Sequence, residues 1–190
     1  MKNVVYEEEL VREEIYQGTL ILDGRMSEKE QNEKIYEMIS RKKELHSLEQ
    51  IKNCPPDAVV LILHDSKKEH ILLNREFRLA VGDWVYNFPA GLIEEGETPE
   101  CAAARELKEE TGLTLYSVED VMHSSYSAIG FSDEKNVCIV GTAGGTFQKS
   151  NSAVEEIEAG WFTKEEVKKL LKTEMFAART QSYCYLWAKS

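Results

Sequence analysis

Three glutamates at helical spacing are the residues of this chain best suited to do chemistry. Glu106, Glu109 and Glu110 stand three and four positions apart, and that spacing places them on one face of an α-helix within about one turn. Like charges on one face repel one another, so the pattern does not suit a helix that only packs against a core. Hard divalent cations such as Mg²⁺ or Mn²⁺ prefer carboxylate oxygens. The spacing therefore favours a metal site that works beside phosphate groups; the alternative is a solvated helix face with scattered ion pairs.

The residues around these glutamates form a longer pattern of fixed spacing. A glycine, five residues, a glutamate, seven residues and then Arg-Glu-apolar-any-Glu-Glu-any-Gly-apolar are filled by Gly91, Glu97, Arg105, Glu106, Leu107, Glu109, Glu110, Gly112 and Leu113. The pattern resembles the box of the Nudix hydrolases, which cleave a nucleoside diphosphate linked to another group. A degenerate box that binds nucleotide without catalysis is the alternative, but such boxes usually lack a glutamate, and none is missing here.

The resemblance implies a role for each charged residue of the box. The implied metal ligands for Mg²⁺ or Mn²⁺ are Glu106, Glu109, Glu110, Glu97 through water, and a backbone carbonyl supplied by Ala90 or Gly91. Family members often pair the glutamate at Glu97 with the arginine at Arg105. Arg105 also precedes Glu109 by four residues, which on a helix allows an ion pair that holds the carboxylate in place.

The general base is harder to place. In relatives that act on ADP-ribose, a glutamate on a loop late in the chain often takes this role. Here the segment before a late strand offers Glu155 as the first candidate and Glu156 as the second. A surface glutamate without a role is the alternative for each of them. Glu109 or Glu110 is a further candidate for the group that accepts a proton from the attacking water.

Residues beside the box favour one subfamily. Residues 74–78, NREFR, followed by residues 89–94, PAGLIE, resemble the ADP-ribose pyrophosphatases. Arg78 falls where those enzymes often bind a phosphate, and its guanidinium could form paired hydrogen bonds to one; a plain surface arginine is the alternative. Residues 130–134, GFSDE, resemble their Gly-x-Ser-x-Glu loop, which makes Glu134 a second candidate for binding substrate.

Two departures from that subfamily keep other substrates open. Ala128 and Ile129 stand where a proline is usual, and Asn87 replaces the glutamate that often precedes Pro-Ala-Gly. ADP-ribose or another nucleoside diphosphate sugar is the first choice of substrate, with AMP and a sugar phosphate as products. Dinucleoside polyphosphates or other diphosphates are the rivals among enzymes. A nucleotide-sensing module without catalysis is the rival from another class.

Composition argues against several other classes of protein. The net charge of −11 opposes binding to long nucleic acid, which needs basic surface, although bound cations would still allow a nucleotide substrate. The four cysteines form no CxxC pair and are interpreted as free thiols. No apolar run approaches the roughly 18 residues of a membrane span, and the acidic N-terminus does not resemble a signal peptide. A cytoplasmic location without membrane attachment is therefore expected.

The elements that must position these residues alternate irregularly between strands and helices. Strands are predicted at residues 57–64, 70–77, 136–141 and 157–162 from apolar runs bounded by turn residues. The box glutamates belong to a helix with Thr98 as its N-cap and Gly112 as its C-cap. A C-terminal helix starts at Thr163, with Glu166 completing a capping box. Mixed spacing of this kind indicates a mixed sheet between helices.

The family resemblance turns this outline into a specific fold. It covers roughly residues 57–170 and implies the Nudix α/β/α sandwich, with a catalytic domain over 57–190 and an N-terminal extension of strands and a helix over 1–56. The charged segment 27–50 predicts a helix with Ile35, Met38 and Ile39 as its apolar stripe. Residues 15–22 predict strands broken at Gly18. Related enzymes often exchange such N-terminal strands between protomers, so a homodimer is expected.

Overall fold

The computed structural model describes most of the chain, namely residues 15–21, 33–42, 48–150 and 156–190. It divides into two compact units: Met1–Pro55 with Tyr126–Glu134, and Pro56–Ser125 with Lys135–Ser190. The second unit contains every residue of the Nudix-like box.

Strands and helices have the following bounds in the described parts of the chain. The strands are β1 (Ile15–Ile21), β2 (Glu33–Ile39), β3 (Ala58–His64), β4 (His70–Arg78), β5 (Asp83–Asn87), β6 (Ala90–Leu92), β7 (Thr114–Val121), β8 (Ser125–Tyr126), β9 (Lys135–Gly144) and β10 (Ile157–Thr163). The helices are α1 (Leu48–Lys52), α2 (Pro99–Thr111), α3 (Lys164–Thr173) and α4 (Ala178–Lys189). No helix among these is long and apolar enough to cross a membrane.

The larger unit is built on a mixed sheet. Its strand order is β10-β4-β3-β9-β7, with β5 added beside β4 and β6 beside β3. The central strands β3 and β9 run parallel, from Ala58 opposite Asn136 to His64 opposite Thr142. Strand β10 is antiparallel to β4, and β7 is antiparallel to β9. The predicted mixed sheet is therefore confirmed.

Strand β3 divides the core into two layers because its side chains alternate between the faces of the sheet. Val59, Leu61 and Leu63 pack with the buried residues of α2 in one cluster. Val60 and Ile62 pack in the other cluster, which contains buried residues of α3 and α4. Every residue of β3 is buried, as its continuous apolar run predicts. Helices thus cover both faces of the sheet, which is the predicted α/β/α arrangement.

The helix that carries the box ends where its capping residues predict. Thr98 Oγ1 accepts a hydrogen bond of 3.3 Å from the backbone N–H of Cys101. Gly112 has a φ of 76°, the left-handed conformation that glycine adopts readily, and its N–H donates to the carbonyl of Lys108. The predicted capping box of Thr163 and Glu166 is also present at the start of α3. Helix α4 follows α3 as a separate element that the sequence pattern did not resolve.

The smaller unit corrects the prediction for residues 27–50. Residues Glu33–Ile39 form a strand that pairs antiparallel with β1, from Ile15 opposite Ile39 to Ile21 opposite Glu33. The predicted helix with its stripe of Ile35, Met38 and Ile39 is therefore wrong over these residues. Residues 33–39 pair with β1 instead, and such tertiary context overrides weak helix propensity. Strand β1 also continues through Gly18 without the predicted break.

Candidate active site

Arg105 contacts three carboxylates of the box. Its Nε and Nη2 donate to the two carboxylate oxygens of Glu97, each at 2.9 Å. Its Nη1 donates to Glu106 Oε1 at 2.8 Å and to Glu109 Oε2 at 3.3 Å. Nη2 also donates to the backbone carbonyl of Leu92 at 2.8 Å. One guanidinium therefore holds three carboxylates and ties helix α2 to the segment that precedes it.

The carboxylates around Arg105 differ in how readily they carry charge. Hydrogen bonds from Arg105, and from the backbone N–H of Glu94, hold the pKa of Glu97 below its usual range. Burial raises the pKa of Glu106, whose side chain is only 14% exposed. The charges of Glu109 and Glu97 raise it further, although Arg105 opposes them. A nearby cation would favour the charged form of Glu106.

The glycine of the box allows Glu106 to lie against the backbone. A Cβ built on Gly91 would be 1.9 Å from Cδ of Glu106 and 2.1 Å from its Oε1, which no real contact permits. Gly91 lies in β6, opposite Val59 of the central strand, and Ala90 lies opposite Val60. The structure therefore brings one predicted ligand, Glu106, to the peptide segment predicted to supply a backbone carbonyl.

Glu110 is a buried residue of the box helix, and its partner lies on strand β4. It is 8% exposed, and its Oε2 accepts a hydrogen bond of 2.8 Å from Nδ2 of Asn74. Asn74 lies in the middle of β4 and is fully buried. Sequence reasoning missed this residue, although an asparagine that directly follows the apolar residues 71–73 within a predicted strand is a recognisable signal.

The same face of β4 leads from Asn74 to the predicted phosphate-binding arginine. Alternate residues of a strand share a face, so Asn74, Glu76 and Arg78 project towards the side of the sheet that α2 covers. Glu76 is 5% exposed, and its Oε1 accepts from Nε of Arg78 at 3.0 Å and from Nδ2 of Asn87 at 2.9 Å. Arg78 thus has a fixed partner on the strand that contacts the box helix.

Asn87 links this strand face to the C-terminal helix. Its Oδ1 accepts from Oγ1 of Thr180 at 2.8 Å and from the backbone N–H of Phe88 at 2.9 Å. Thr180 is fully buried in α4. The glutamate expected at position 87 from the subfamily is replaced here, and a buried carboxylate stands instead on the neighbouring strand, as Glu76.

The remaining predicted site residues are Glu134, Glu155 and Glu156. Glu134 belongs to the smaller unit, where it accepts hydrogen bonds from Ser127 Oγ at 2.7 Å and Arg41 Nε at 2.8 Å. Glu155 lies outside the described residues. Glu156 is exposed, and its backbone carbonyl accepts from the N–H of Phe77 at 3.1 Å. The assignment of a general base therefore stays a prediction.

The side chains of the box fit a hard divalent cation by their chemistry. They present carboxylate oxygens, and the burial of Glu106 disfavours its charge unless a cation is near. Their oxygens are spread around Arg105, so a cation would compete with the guanidinium for Glu106 and Glu109. Gly91 leaves the space that Glu106 needs beside the backbone.

A second acidic group in the described residues has a structural explanation. Ligand atoms of Asp65, Glu69 and His70 lie within 4.8 Å of one another. Asp65 Oδ1 accepts from the backbone N–H groups of Glu69 at 2.8 Å and His70 at 3.1 Å, and Oδ2 lies 3.0 Å from His70 Nδ1. These contacts close the turn between β3 and β4.

Comparison with solved structures identifies the fold. The chain resembles a protein described as "Crystal structure of ADP compounds hydrolase", with a TM-score of 0.64 and 17% identity over 97% of this chain and 88% of the other. The mixed sheet, the helices on both of its faces and the helix that carries the box carboxylates together define an α/β protein of the Nudix fold. Residues 55–183 match the NUDIX domain, and the chain therefore belongs to the Nudix family.

Curated relatives match shorter stretches. The ADP-ribose pyrophosphatase of Bacillus subtilis is 38% identical over 80 residues, which cover 42% of this chain and 42% of the relative. The ADP-sugar pyrophosphatase of Mus musculus is 54% identical over 44 residues, 23% of this chain and 20% of the relative. The chain thus spans less than half the length of these relatives.

Proposed function

We propose that this protein is a metal-dependent pyrophosphohydrolase of nucleoside diphosphate derivatives, with ADP-ribose or a nucleoside diphosphate sugar as substrate. The observation that carries the proposal is the complete set of box carboxylates. Glu97, Glu106 and Glu109 contact Arg105, and Glu110 lies on the same helix as Glu106 and Glu109. A degenerate, non-catalytic box would be expected to lack one of them. The named activities of the relatives in Bacillus subtilis and Mus musculus support the choice of substrate class.

The cation would be held by Glu106, Glu109 and Glu110, with Glu97 and the backbone carbonyl of Ala90 completing the site. When bound, Mg²⁺ or Mn²⁺ neutralises phosphate charge and favours ionisation of the attacking water. Oxygen ligands are shared by both ions, so the proposal covers either.

The residues of the chain itself have separate tasks in this proposal. Arg105 orients Glu97, Glu106 and Glu109 through the hydrogen bonds described above. Arg78 would bind a substrate phosphate, since a guanidinium matches phosphate oxygens with paired donors. A water oxygen would attack one phosphorus while the bond from that phosphorus to the bridging oxygen breaks. The bridging oxygen would leave on the other phosphate, giving AMP and a sugar phosphate.

The proposal is tested by phosphate release from a panel of nucleoside diphosphate derivatives, coupled to a phosphatase, with Mg²⁺ or Mn²⁺ present. Wild-type protein is compared with Glu109→Gln, which removes one charge without changing the shape of the side chain. We expect turnover of ADP-ribose by the wild type and a loss of at least about 100-fold in the variant.

Each other result has a defined meaning. Turnover of a different member of the panel, such as a dinucleoside polyphosphate, would keep the chemistry and replace the substrate. Binding of nucleotide without turnover of any compound would overturn the proposal in favour of a sensing module.

The homodimer remains a second proposal, drawn from the subfamily resemblance. Light scattering coupled to gel filtration measures the mass directly. A mass twice that of the 21.7 kDa chain is expected, and a monomer at working concentration would overturn it.

A further inference from the structure

Asn74 is a buried amide in a place where folding alone favours an apolar residue. It is 0% exposed, and its neighbours Leu72 and Leu73 belong to the two core clusters on either side of the sheet. Burying an amide in such surroundings costs free energy unless its polar atoms are hydrogen-bonded. Asn74 satisfies this condition only in part, because its Oδ1 has no hydrogen-bond partner among the described residues.

The hydrogen bond that Asn74 does make is directed at the box. Its Nδ2 donates to Oε2 of Glu110 at 2.8 Å, across 36 residues of sequence. An ionised carboxylate only accepts hydrogen bonds, so the amide presents its donor side to Glu110. A donor in this position restrains the direction of the carboxylate oxygens.

We propose that Asn74 is a positioning residue that holds the carboxylate of Glu110 in the orientation that binds a divalent cation. The inference rests on the proposed function, because it takes Glu110 to be a metal ligand. Arg105, which is itself on α2, contacts Glu106 and Glu109. Asn74 contacts Glu110 from strand β4. Partners of this kind fix a ligand before the metal arrives, and losing one typically weakens metal binding by about 10–100-fold.

The test measures Mn²⁺ binding by titration calorimetry on the full chain, at neutral pH and without substrate. Asn74→Leu removes the donor and keeps the site apolar. Glu110→Gln removes the proposed ligand itself, and the double variant combines the two. Ile71→Val is the matched control, because Ile71 is a fully buried residue of the same strand in the opposite core cluster.

We expect Asn74→Leu to weaken Mn²⁺ binding by about 10–100-fold, while Ile71→Val binds like the wild type. The double variant should bind no more weakly than Glu110→Gln alone, because a residue that acts through Glu110 has nothing left to act on. Circular dichroism is used to check that each variant is folded. Should Asn74→Leu fail to fold, Asn74→Val also removes the donor and suits a buried strand. The same loss of Mn²⁺ affinity is expected for that variant.

Three results would overturn the inference. Wild-type affinity in Asn74→Leu, or in Asn74→Val where that variant replaces it, would show that the amide is structural, and the proposed function would stand. A double variant weaker than Glu110→Gln would show that Asn74 acts by another route. Absence of Mn²⁺ binding in the wild type would instead remove the proposed function itself.

Discussion

Gly91 lacks a side chain at the point where a methyl group would overlap Glu106. The built Cβ lies 1.9 Å from the carboxylate carbon, so an alanine would force the end of that flexible side chain to move. We predict that Gly91→Ala lowers kcat/KM by about 100-fold, the size of loss that a displacement near 1 Å can cause. The midpoint of thermal unfolding should change little, because a flexible side chain can shift at low cost.

Gly144→Ala is the control for this prediction. A Cβ on Gly144 would be 2.6 Å from the ring of Tyr116, a side chain that is 58% exposed. The crowding at Gly144 is milder than at Gly91, and no carboxylate of the box is involved. The same kcat/KM in Gly91→Ala and Gly144→Ala would contradict the role assigned to Gly91.

At the scale of elements, strand β4 connects the box helix to the predicted phosphate arginine through one row of side chains. Glu76, in the middle of that row, binds Nε of Arg78 and Nδ2 of Asn87 at the same oxygen, Oε1. We predict that Glu76→Gln raises KM by about tenfold or more, since a hydrogen bond to a charged group contributes about 1.5–3 kcal/mol. The value of kcat should change less, because Arg78 would bind the substrate rather than react with it.

The neighbouring residue supplies a control on the same strand. Arg75 projects from the opposite face of β4, where its guanidinium lies 4.5 Å from the ring centre of Trp84. Arg75→Gln should leave KM unchanged. Steady-state kinetics give the KM of both variants. An unaltered KM in Glu76→Gln would exclude Glu76 as the residue that orients Arg78.

At the scale of the whole molecule, a buried histidine of the larger unit joins strand β3 to helix α4. His64, at the end of β3, is 8% exposed, with Nδ1 3.1 Å from the carbonyl of His70 and Nε2 3.2 Å from the hydroxyl of Tyr183 in α4. A neutral ring satisfies both contacts, donating from Nδ1 and accepting at Nε2. Burial lowers the pKa of His64 below its ordinary value of 6.5.

The lowered pKa predicts how stability depends on pH. Between the folded pKa and 6.5 the unfolded chain binds more protons, so the free energy of unfolding falls as pH falls. The contribution of His64 is fully present above that window and is lost as pH passes down through it. Urea unfolding at pH 7.5 and 5.5 should therefore show a larger loss for the wild type than for His64→Gln. Parallel losses in the two proteins would contradict this prediction.

Local sequence was sufficient for the elements whose signals lie within a few residues. Thr98, Pro99 and Gly112 delimit the box helix by capping chemistry that needs no distant partner. The spacing of Glu106, Glu109 and Glu110 placed their carboxylates on that helix, and the continuous apolar run at residues 58–64 predicted the buried strand. The strand at Glu33–Ile39 escaped this reasoning because its partner, β1, begins 18 residues earlier than β2 does.

The sequence by itself therefore determined the family, the box helix and the identity of its acidic residues, since these depend on fixed local spacing. The sequence also indicated the contacts of Arg105 with Glu97 and Glu109, whereas tertiary structure alone decided the partners of Glu110 and Asn87. The bond from Asn74 to Glu110 spans 36 residues and that from Thr180 to Asn87 spans 93. Such contacts depend on how strands and helices stack, and no periodicity along the chain encodes them. The environment of the carboxylates, and with it their charge and orientation, is set by this packing.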